Sequence, residues 1–113
     1  MFDLTGKRAL VTGGSRGIGA ALCRVLVREG ASVAINYHRS PAEAEALAAA
    51  LGDRAVAVGG DVSVEAEVVR MVRTAADQLG GLDILIGNAG VIEPIAHMAE
   101  AGHFGKICIS VSS

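Results

Sequence analysis

The stretch TGGSRGIG, at residues 12–19, decides the fold of this chain. It follows a short apolar run that begins at Ala9, and it precedes a stretch with helical periodicity. Glycine has no Cβ, so it lets the backbone turn tightly and approach a ligand closely. The helix that follows presents unpaired N–H groups and the positive end of its dipole, both of which favour an anion. Residues 12–19 therefore predict a strand–turn–helix unit that binds phosphate, with a pyrophosphate as the natural ligand.

The rest of the chain alternates two sequence patterns. Short apolar runs rich in β-branched residues lie at 9–12, 32–37, 55–58 and 82–86. Stretches with helical periodicity separate these runs, and Gly30 and Gly80 follow the first and the third of them. Apolar strands that alternate with helices predict a parallel sheet covered on both faces. The predicted fold class is α/β, a Rossmann-like doubly wound parallel sheet, running βαβαβαβ up to Gly87 and truncated after about four to five strands.

Helical spacing also predicts which residues of the helices face the sheet. The apolar face of the first helix is predicted to consist of Ile18, Ala21, Leu22, Val25 and Leu26. The apolar face of the third helix is predicted to consist of Val64, Val68, Met71, Val72, Ala75 and Leu79. Cys23 falls inside the first helical pattern, which favours a small buried hydrophobic residue at that position.

Composition excludes several classes of protein. The chain has 113 residues, 51% of them hydrophobic and 19% charged, which favours one ordered domain over disorder. No apolar run reaches the roughly 20 residues of a membrane span, and the acidic start is unlike a secretory signal. The net charge of -2, without a cluster of Lys and Arg, argues against nucleic acid as a partner. Cys23 and Cys108 lie far apart outside any C-x-x-C pattern, so we expect a cytoplasmic protein with reduced cysteines.

The end of the second strand distinguishes between two dinucleotides. It reads NYHRS at residues 36–40, and no acid occurs between residues 33 and 42 to bind a ribose 2′-hydroxyl. Arg39 offers a fork of donors suited to a 2′-phosphate, Ser40 lies at a helix N-terminus, and Arg16 could approach the same phosphate. The alternative is that Ser40 is only an N-cap, ahead of Pro41, and Arg39 only a solvated side chain. The pattern favours NADP(H) over NAD(H).

Three motifs in register resemble the short-chain dehydrogenase/reductase family. They are TGGSRGIG at 12–19, Asp61-Val62 and Asn88-Ala89-Gly90, and the resemblance covers roughly residues 4 to 95. This N-terminal stretch looks like the β-ketoacyl-carrier-protein reductase type of member, and equally like many bacterial reductases of unassigned substrate. One departure is Gly87, where the family often has a second Asn.

The resemblance implies a set of residues that bind the cofactor. The pyrophosphate and ribose would be lined by Gly13, Ser15, Arg16, Gly17, Ile18 and Gly19. Asp61 would accept a hydrogen bond from the adenine amino group, the Val62 backbone would contact the ring, and residues 88–90 would pass beneath the adenosine and the nicotinamide ribose. The alternative for Asp61 is a charge that stabilises the N-terminus of the third helix, with Ser63 as the cap.

The family also implies a Ser, a Tyr and a Lys that perform the chemistry. A tyrosine with a pKa of about 10 is a poor acid at neutral pH, and a lysine four residues later lowers that value. The only tyrosine of this chain is Tyr37, which is followed four residues later by Pro41, and its only lysines are Lys7 and Lys106. The Tyr-x-x-x-Lys pair is therefore absent from these 113 residues.

The last residues form a separate segment in this interpretation. Residues 106–113 alternate apolar and small polar residues as a strand does, and Ser112 would match the catalytic Ser of the family. Only residues 91–105 intervene where the family has a long helix, so the tail reflects either an internal deletion or unrelated sequence that mimics a strand. We therefore divide the chain into an NADP-binding Rossmann half at 1–95 and a short divergent tail at 96–113. His97, His103 and Cys108 fit no familiar zinc spacing, and no metal site is expected.

These observations predict an NADP-dependent oxidoreductase, present as its cofactor-binding part. Its substrate in any full-length form would be a small carbonyl or alcohol. Two alternatives stay open: a non-enzymatic NADP-binding or interaction module, which could self-associate through an open sheet edge, and an inactive fragment.

Overall fold

The structure, a computed structural model, describes residues 3–14 and 17–87 together with the backbone of residues 107–110. Its elements are β1 (Arg8–Val11), α1 (Gly17–Arg28), β2 (Ser32–Tyr37), α2 (Pro41–Leu51), β3 (Ala55–Gly59), α3 (Glu65–Leu79), β4 (Ile84–Gly87) and β5 (Ile107–Ser110). The predicted order of strands and helices is confirmed, and the predicted bounds of β2 match the observed ones.

All pairs of neighbouring strands in the sheet are parallel, in the order β3-β2-β1-β4-β5. In the centre, Leu10 of β1 lies between Ala34 of β2 and Leu85 of β4. The chain thus builds outward from β1 to β3 on one side and then continues on the other side with β4. This is the strand order of a doubly wound dinucleotide-binding sheet, and it confirms the predicted fold class. The strand expected in the tail lies beside β4 as β5.

The core has two parts because strand side chains alternate between the two faces of the sheet. Ala9 and Val11 contribute to a cluster that includes buried residues of α1 and α2, whereas Leu10 between them belongs to a cluster with α3. Side chains of β4 divide in the same way, with Ile84 and Ile86 in the first cluster and Leu85 in the second. Each large apolar side chain buried in this way contributes about 1.5–3 kcal/mol. The sheet is therefore fixed from both sides.

The predicted face of α1 is partly wrong. Its buried residues are Ala20, Cys23, Leu26 and Val27. Ile18 and Val25 are instead 60% and 40% exposed, and Ala21 is exposed as well. Apolar residues occupy most positions of this helix, so periodicity alone does not single out one face. Small side chains at Ala20 and Cys23 meet the sheet, and Cys23 is confirmed as a small buried hydrophobic residue.

The predicted face of α3 agrees better with the structure. Val68, Met71, Val72 and Ala75 are buried as expected. Val64 is exposed because it is the N-cap residue, one position before the helix begins. None of the helices in the described part of the chain is long and apolar enough to cross a membrane.

An ion pair joins β1 and β4 at the amino ends of the strands. The Arg8 guanidinium donates from Nε to Asp83 Oδ2 at 2.9 Å and from Nη2 to Asp83 Oδ1 at 3.2 Å. Its Nη1 donates to the carbonyl oxygen of Gly80 at 2.6 Å. The hydrogen bonds that Arg8 donates to Asp83 lower the pKa of the Asp83 carboxyl below its usual value.

Candidate functional site

The candidate site lies at the edge of the sheet where β1 to β4 end. Because the strands are parallel, the segments that leave them meet at this edge, and ligands of doubly wound folds bind outside it. The glycine loop, defined as residues 12–19, leaves β1, and residues 38–40 leave β2. The β3–α3 loop, defined as residues 60–64, leaves β3.

Two glycines of the glycine loop adopt a backbone conformation that other residues rarely adopt. Gly13 has φ of 64° and Gly17 has φ of 52°, both in the left-handed region. Apart from their chain neighbours, no atom of the described residues lies within 4 Å of the position that a Cβ would occupy at either residue. The described residues therefore leave the backbone at Gly13 and Gly17 open on this side, as close approach of a ligand requires. Ser15 and Arg16, between them, lie outside the described residues.

Gly14 and Gly19 have the opposite surroundings. A Cβ on Gly19 would collide with the carbonyl oxygen of Gly13 and lie 2.9 Å from Gly14 Cα. A Cβ on Gly14 would lie 2.9 Å from the carbonyl oxygen of Val11. The first turn of α1, at Gly19, thus packs directly on Gly13 and Gly14.

Ile18 follows Gly17 in the first turn of α1, and its side chain is exposed beside the loop. The role in lining the pyrophosphate and ribose that the family resemblance implies for Ile18 stays a prediction.

Asn36, near the end of β2, is a residue whose importance sequence reasoning missed. It is the one buried polar residue in the described part of the chain, with 2% exposure. Its Oδ1 accepts a hydrogen bond from the Gly13 N–H at 3.1 Å, and its backbone oxygen accepts one from the Gly14 N–H at 3.1 Å. The available signal was a polar residue inside the apolar run of β2.

The amide nitrogen of Asn36 faces the other way, toward β3. Its Nδ2 lies 3.3 Å from the Val58 carbonyl oxygen, 3.2 Å from that of Gly60, and 2.8 Å from Met71 Sδ. One side chain therefore contacts both the glycine loop and the first residue of the β3–α3 loop.

The segment after β2 carries the predicted phosphate ligands. Arg39 is exposed, and its charge is close enough to Asp61 to help lower the pKa of that carboxyl. Ser40 is the N-cap residue of α2 and Pro41 follows it, as the sequence predicts. The Ser40 hydroxyl makes no capping hydrogen bond, however, so its side chain does not act as the expected cap.

Asp61 is held in place by its neighbours in the β3–α3 loop. Its Oδ1 accepts hydrogen bonds from Ser63 N at 2.9 Å and Ser63 Oγ at 2.6 Å, and its Oδ2 lies 3.4 Å from His38 Nε2. The Ser63 hydrogen bonds, followed by the charges of His38 and Arg39, lower the pKa of the Asp61 carboxyl. An ionised acceptor therefore lies beside the basic side chains that follow β2.

The helix-capping alternative for this loop is only partly supported. Ser63 is not the cap of α3, because the N-cap residue is Val64 and no side chain makes a capping bond there. Acidic residues of the first turn are Glu65 and Glu67, and Glu67 Oε1 accepts the Asp61 N–H at 3.0 Å. Val62, the other predicted residue, is half-buried and packs against the α3 core cluster.

Gly87 ends β4 beside the glycine loop. A Cβ at Gly87 would lie 2.5 Å from Thr12 Oγ1, and the Thr12 N–H donates to the Ile86 carbonyl oxygen at 2.9 Å. The glycine at this position accommodates the Thr12 side chain. Residues 88–90, Ser112, His97 and His103 lie outside the described residues, and so does the side chain of Cys108. Within the described ranges, no three His, Cys, Asp or Glu side chains form a candidate metal site.

This set of groups fits an extended anionic ligand. Open glycine backbone and a helix N-terminus suit a phosphate, Arg39 adds positive charge, and Asp61 supplies an acceptor further along the edge. A nicotinamide dinucleotide combines these features, since it carries a pyrophosphate and an adenine amino group.

Comparison with known proteins agrees with this assignment. The sequence profile of the family described as short chain dehydrogenase matches residues 7–110. An uncharacterized oxidoreductase of Methylorubrum extorquens is 45% identical over 96 residues, which are 82% of this chain and 39% of that protein. The short chain dehydrogenase/reductase AacuN of Aspergillus aculeatus is 44% identical over 109 residues, which are 94% of this chain and 39% of that protein. The chain thus spans 39% of the length of both relatives.

Solved structures show the same similarity in three dimensions. A short chain dehydrogenase from Burkholderia cenocepacia in complex with NADP gives a TM-score of 0.77 at 39% identity, covering 91% of this chain and 53% of that chain. A blue fluorescent protein from a metagenomic library in complex with NADPH gives 0.73 at 46% identity, covering 77% of this chain and 37% of that chain.

Proposed function

Because this chain belongs to the short chain dehydrogenase family, we propose that it is the cofactor-binding part of an NADP-dependent oxidoreductase. The reaction is the reduction of a small carbonyl compound or the oxidation of an alcohol, for which bound NADP(H) supplies or accepts the hydride. The observation that carries the proposal is the glycine loop, whose open backbone at Gly13 and Gly17 lies at the same sheet edge as Arg39. We place the activity in the cytoplasm, where Cys23 stays reduced.

Each part of the cofactor has proposed ligands in this chain. Residues 13–19 bind the pyrophosphate, and residues 88–90 pass beneath the adenosine and the nicotinamide ribose. Asp61 accepts a hydrogen bond from the adenine amino group, and the Val62 backbone contacts the ring. Ser112 is the candidate for the residue that orients the substrate carbonyl.

The preference for NADP(H) rests on charge at the end of β2. Arg39 and Ser40, with Arg16, bind the 2′-phosphate, and no acid between residues 33 and 42 is present to repel it. The NADP and NADPH bound in two similar structures support this preference. A charge-assisted hydrogen bond contributes about 1.5–3 kcal/mol, which corresponds to roughly 10- to 100-fold in affinity.

The test is a titration of the chain with NADPH and with NADH. We expect NADPH to bind at least about tenfold more tightly, and Arg39→Asp to remove this difference. Arg54→Asp is the matched control, because Arg54 is also exposed but precedes β3 at the opposite end of the strands. This control should leave both affinities unchanged, and equal affinities in the parent chain refute the 2′-phosphate argument.

A second measurement tests the role of the chain as a binding part. Tyr37 is the only tyrosine and lies at the end of β2, away from the nicotinamide end of the proposed site. These 113 residues should therefore bind NADPH without consuming it when carbonyl compounds are added. Carbonyl-dependent NADPH oxidation by the purified chain would contradict this expectation.

A further inference from the structure

Asn36 is tied to two loops that the proposed function assigns to different parts of one ligand. The glycine loop is assigned to the pyrophosphate, and the β3–α3 loop, through Asp61, to adenine. Asn36 accepts from Gly13 in the first loop and donates to Gly60 in the second, immediately before Asp61. At 2% exposure, the amide makes these bonds away from water.

The pattern of partners suits an amide at this position. The side-chain oxygen accepts from the Gly13 N–H, and the two N–H groups of Nδ2 face the carbonyl oxygens of Tyr37, Val58 and Gly60, so that an asparagine supplies both an acceptor and a donor. Aspartate could accept from Gly13 but would place a carboxylate against two carbonyl oxygens. An apolar side chain of similar size could form none of these bonds.

Asn36 also accepts two consecutive backbone N–H groups of the glycine loop. The N–H groups of both Gly13 and Gly14 point at Asn36, one toward its side chain and one toward its backbone oxygen. The open side of Gly13 consequently remains available to a ligand.

We propose that Asn36 is a positioning residue that holds the glycine loop and the β3–α3 loop at a fixed separation. The two loops then accept the phosphate and adenine parts of one ligand together. This inference rests on the proposed function, and it assigns Asn36 a role in binding without contact to the ligand. A ligand that reaches both loops should depend on Asn36, whereas a ligand that reaches one should not.

Two nucleotides serve as probes of this dependence. Adenosine 2′,5′-bisphosphate carries a 5′-phosphate toward the glycine loop, and adenosine 2′-monophosphate lacks that group. Asn36→Val removes the acceptor and the donor, and Asn36→Asp keeps the acceptor, removes the donor and adds a negative charge. We expect both variants to bind the bisphosphate about tenfold or more weakly, because the preorganised separation is lost, and the monophosphate within about twofold of the parent.

Val33→Ala is the matched control for stability. Val33 is fully buried in β2, three residues before Asn36. Its aliphatic side chain forms no hydrogen bond and so cannot connect the two loops as Asn36 does. This variant should lower the melting temperature and leave both affinities unchanged. Parent-like binding of the bisphosphate by both Asn36 variants, or equal losses for both probes, overturns the proposal.

Amide hydrogen exchange at Gly13, followed by NMR without ligand, separates this inference from the proposed function. Exchange should be at least about tenfold faster in Asn36→Val and close to the parent rate in Asn36→Asp, which keeps the acceptor. A parent chain that binds neither probe refutes the proposed function. In that case, faster exchange at Gly13 in Asn36→Val still supports the proposal that Asn36 holds the two loops together. Unchanged exchange at Gly13 overturns that proposal. If Asn36→Val does not fold, Asn36→Asp decides through the bisphosphate affinity.

Discussion

At the scale of single residues, Gly19 is where α1 touches the loop that precedes it. The space for a Cβ at this position is already filled by the Gly13 carbonyl oxygen. Since backbone atoms cannot rotate away as a flexible side chain can, any larger residue must move the helix or the loop.

Gly19→Ala should therefore lower both stability and affinity. Overpacking of this kind costs about 1–3 kcal/mol, and displacement of the loop should weaken NADPH binding about tenfold. Urea denaturation and an NADPH titration measure the two effects. Val27→Ala, which removes core contacts from the other end of α1, should lose stability without losing affinity. If Gly19→Ala binds NADPH as tightly as the parent, the contact between Gly19 and Gly13 does not shape the site.

Cys23 gives a second prediction at this scale. Burial raises the pKa of the Cys23 thiol to about 12, so the thiol stays protonated at pH 8. The Sγ also lies 3.8 Å from the Gly14 carbonyl oxygen, under the glycine loop. Iodoacetamide at pH 8 should leave Cys23 unmodified in the folded chain and alkylate it in urea. Mass spectrometry of the peptide that contains Cys23 measures this, and rapid alkylation without urea would contradict the burial.

Residue type and spacing predicted the glycine loop and Arg39 as ligands, because their chemistry can be recognised locally, whereas Asp61 was implied only by the resemblance to the family. Asn36 could not be found in this way. Its partners Gly13 and Gly60 lie on either side of it in sequence, and only the pairing of β2 with β1 and β3 brings them to one amide. Ser40 shows the opposite error. Its residue type and position predict a capping hydrogen bond from the helix N-terminus to the hydroxyl, and that bond is not formed.

At the scale of helices and strands, α1 and α3 show when periodicity is sufficient. In α3 charged residues occupy the outer face, and the buried residues were predicted correctly. In α1 the outer face carries Ile18, Ala21 and Val25, so a period of 3.6 fits more than one face. The direction from which a helix approaches the sheet decides such a case, and in α1 that direction includes the contact of Gly19 with the glycine loop.

The ion pair between β1 and β4 gives a prediction about acid stability. The pKa of Asp83 is lower in the folded chain than in the unfolded one, chiefly because Arg8 donates hydrogen bonds to its carboxylate. Its contribution is therefore fully present above the unfolded pKa of about 3.9, declines below that value and is lost as the pH falls through the lower pKa of the folded state. Asp83→Asn should cost about 1 kcal/mol in urea denaturation at pH 7 and much less at pH 3.

Asp77→Asn is the control for that measurement, because Asp77 is exposed on α3. It should change the free energy of unfolding little at either pH. An Asp83→Asn variant that loses the same stability at pH 3 as at pH 7 would show that the charge of Asp83 is not what stabilises the pair of strands.

At the scale of the whole molecule, the order of elements predicted the parallel sheet and its two covered faces. The sequence predicted a strand in the tail but not its neighbour in the sheet, which the structure gives as β4. The edge that carries the candidate site is formed by the carboxyl ends of four parallel strands, β1 to β4. Binding along that edge should stabilise the molecule as a unit.

NADPH should accordingly raise the melting temperature of the chain. A ligand present at 100 times its Kd stabilises the folded state by about 2.7 kcal/mol, which corresponds to roughly 10–20 °C for a domain of this size. NADH at the same concentration is the comparison and should give a smaller shift. Thermal denaturation with each nucleotide measures the difference, and the absence of any shift with NADPH at millimolar concentration would argue against a dinucleotide site.

The strand order also sets the distance between the places where a ligand can contact the edge of the sheet. Neighbouring strands lie about 4.8 Å apart, so the exits of β3 and β4, three intervals from each other, are separated by roughly 14 Å. A ligand that reaches both exits must be extended. Under the proposed function, the adenine lies over the exit of β3 and the nicotinamide toward the exit of β4. The order of the strands along the sequence differs from their order in the sheet, since β1 comes first in sequence and lies in the middle of the sheet. An analogue that keeps only the adenine end of the dinucleotide and one that keeps only the nicotinamide end should therefore bind at opposite ends of this edge. The two analogues should bind at the same time without competing.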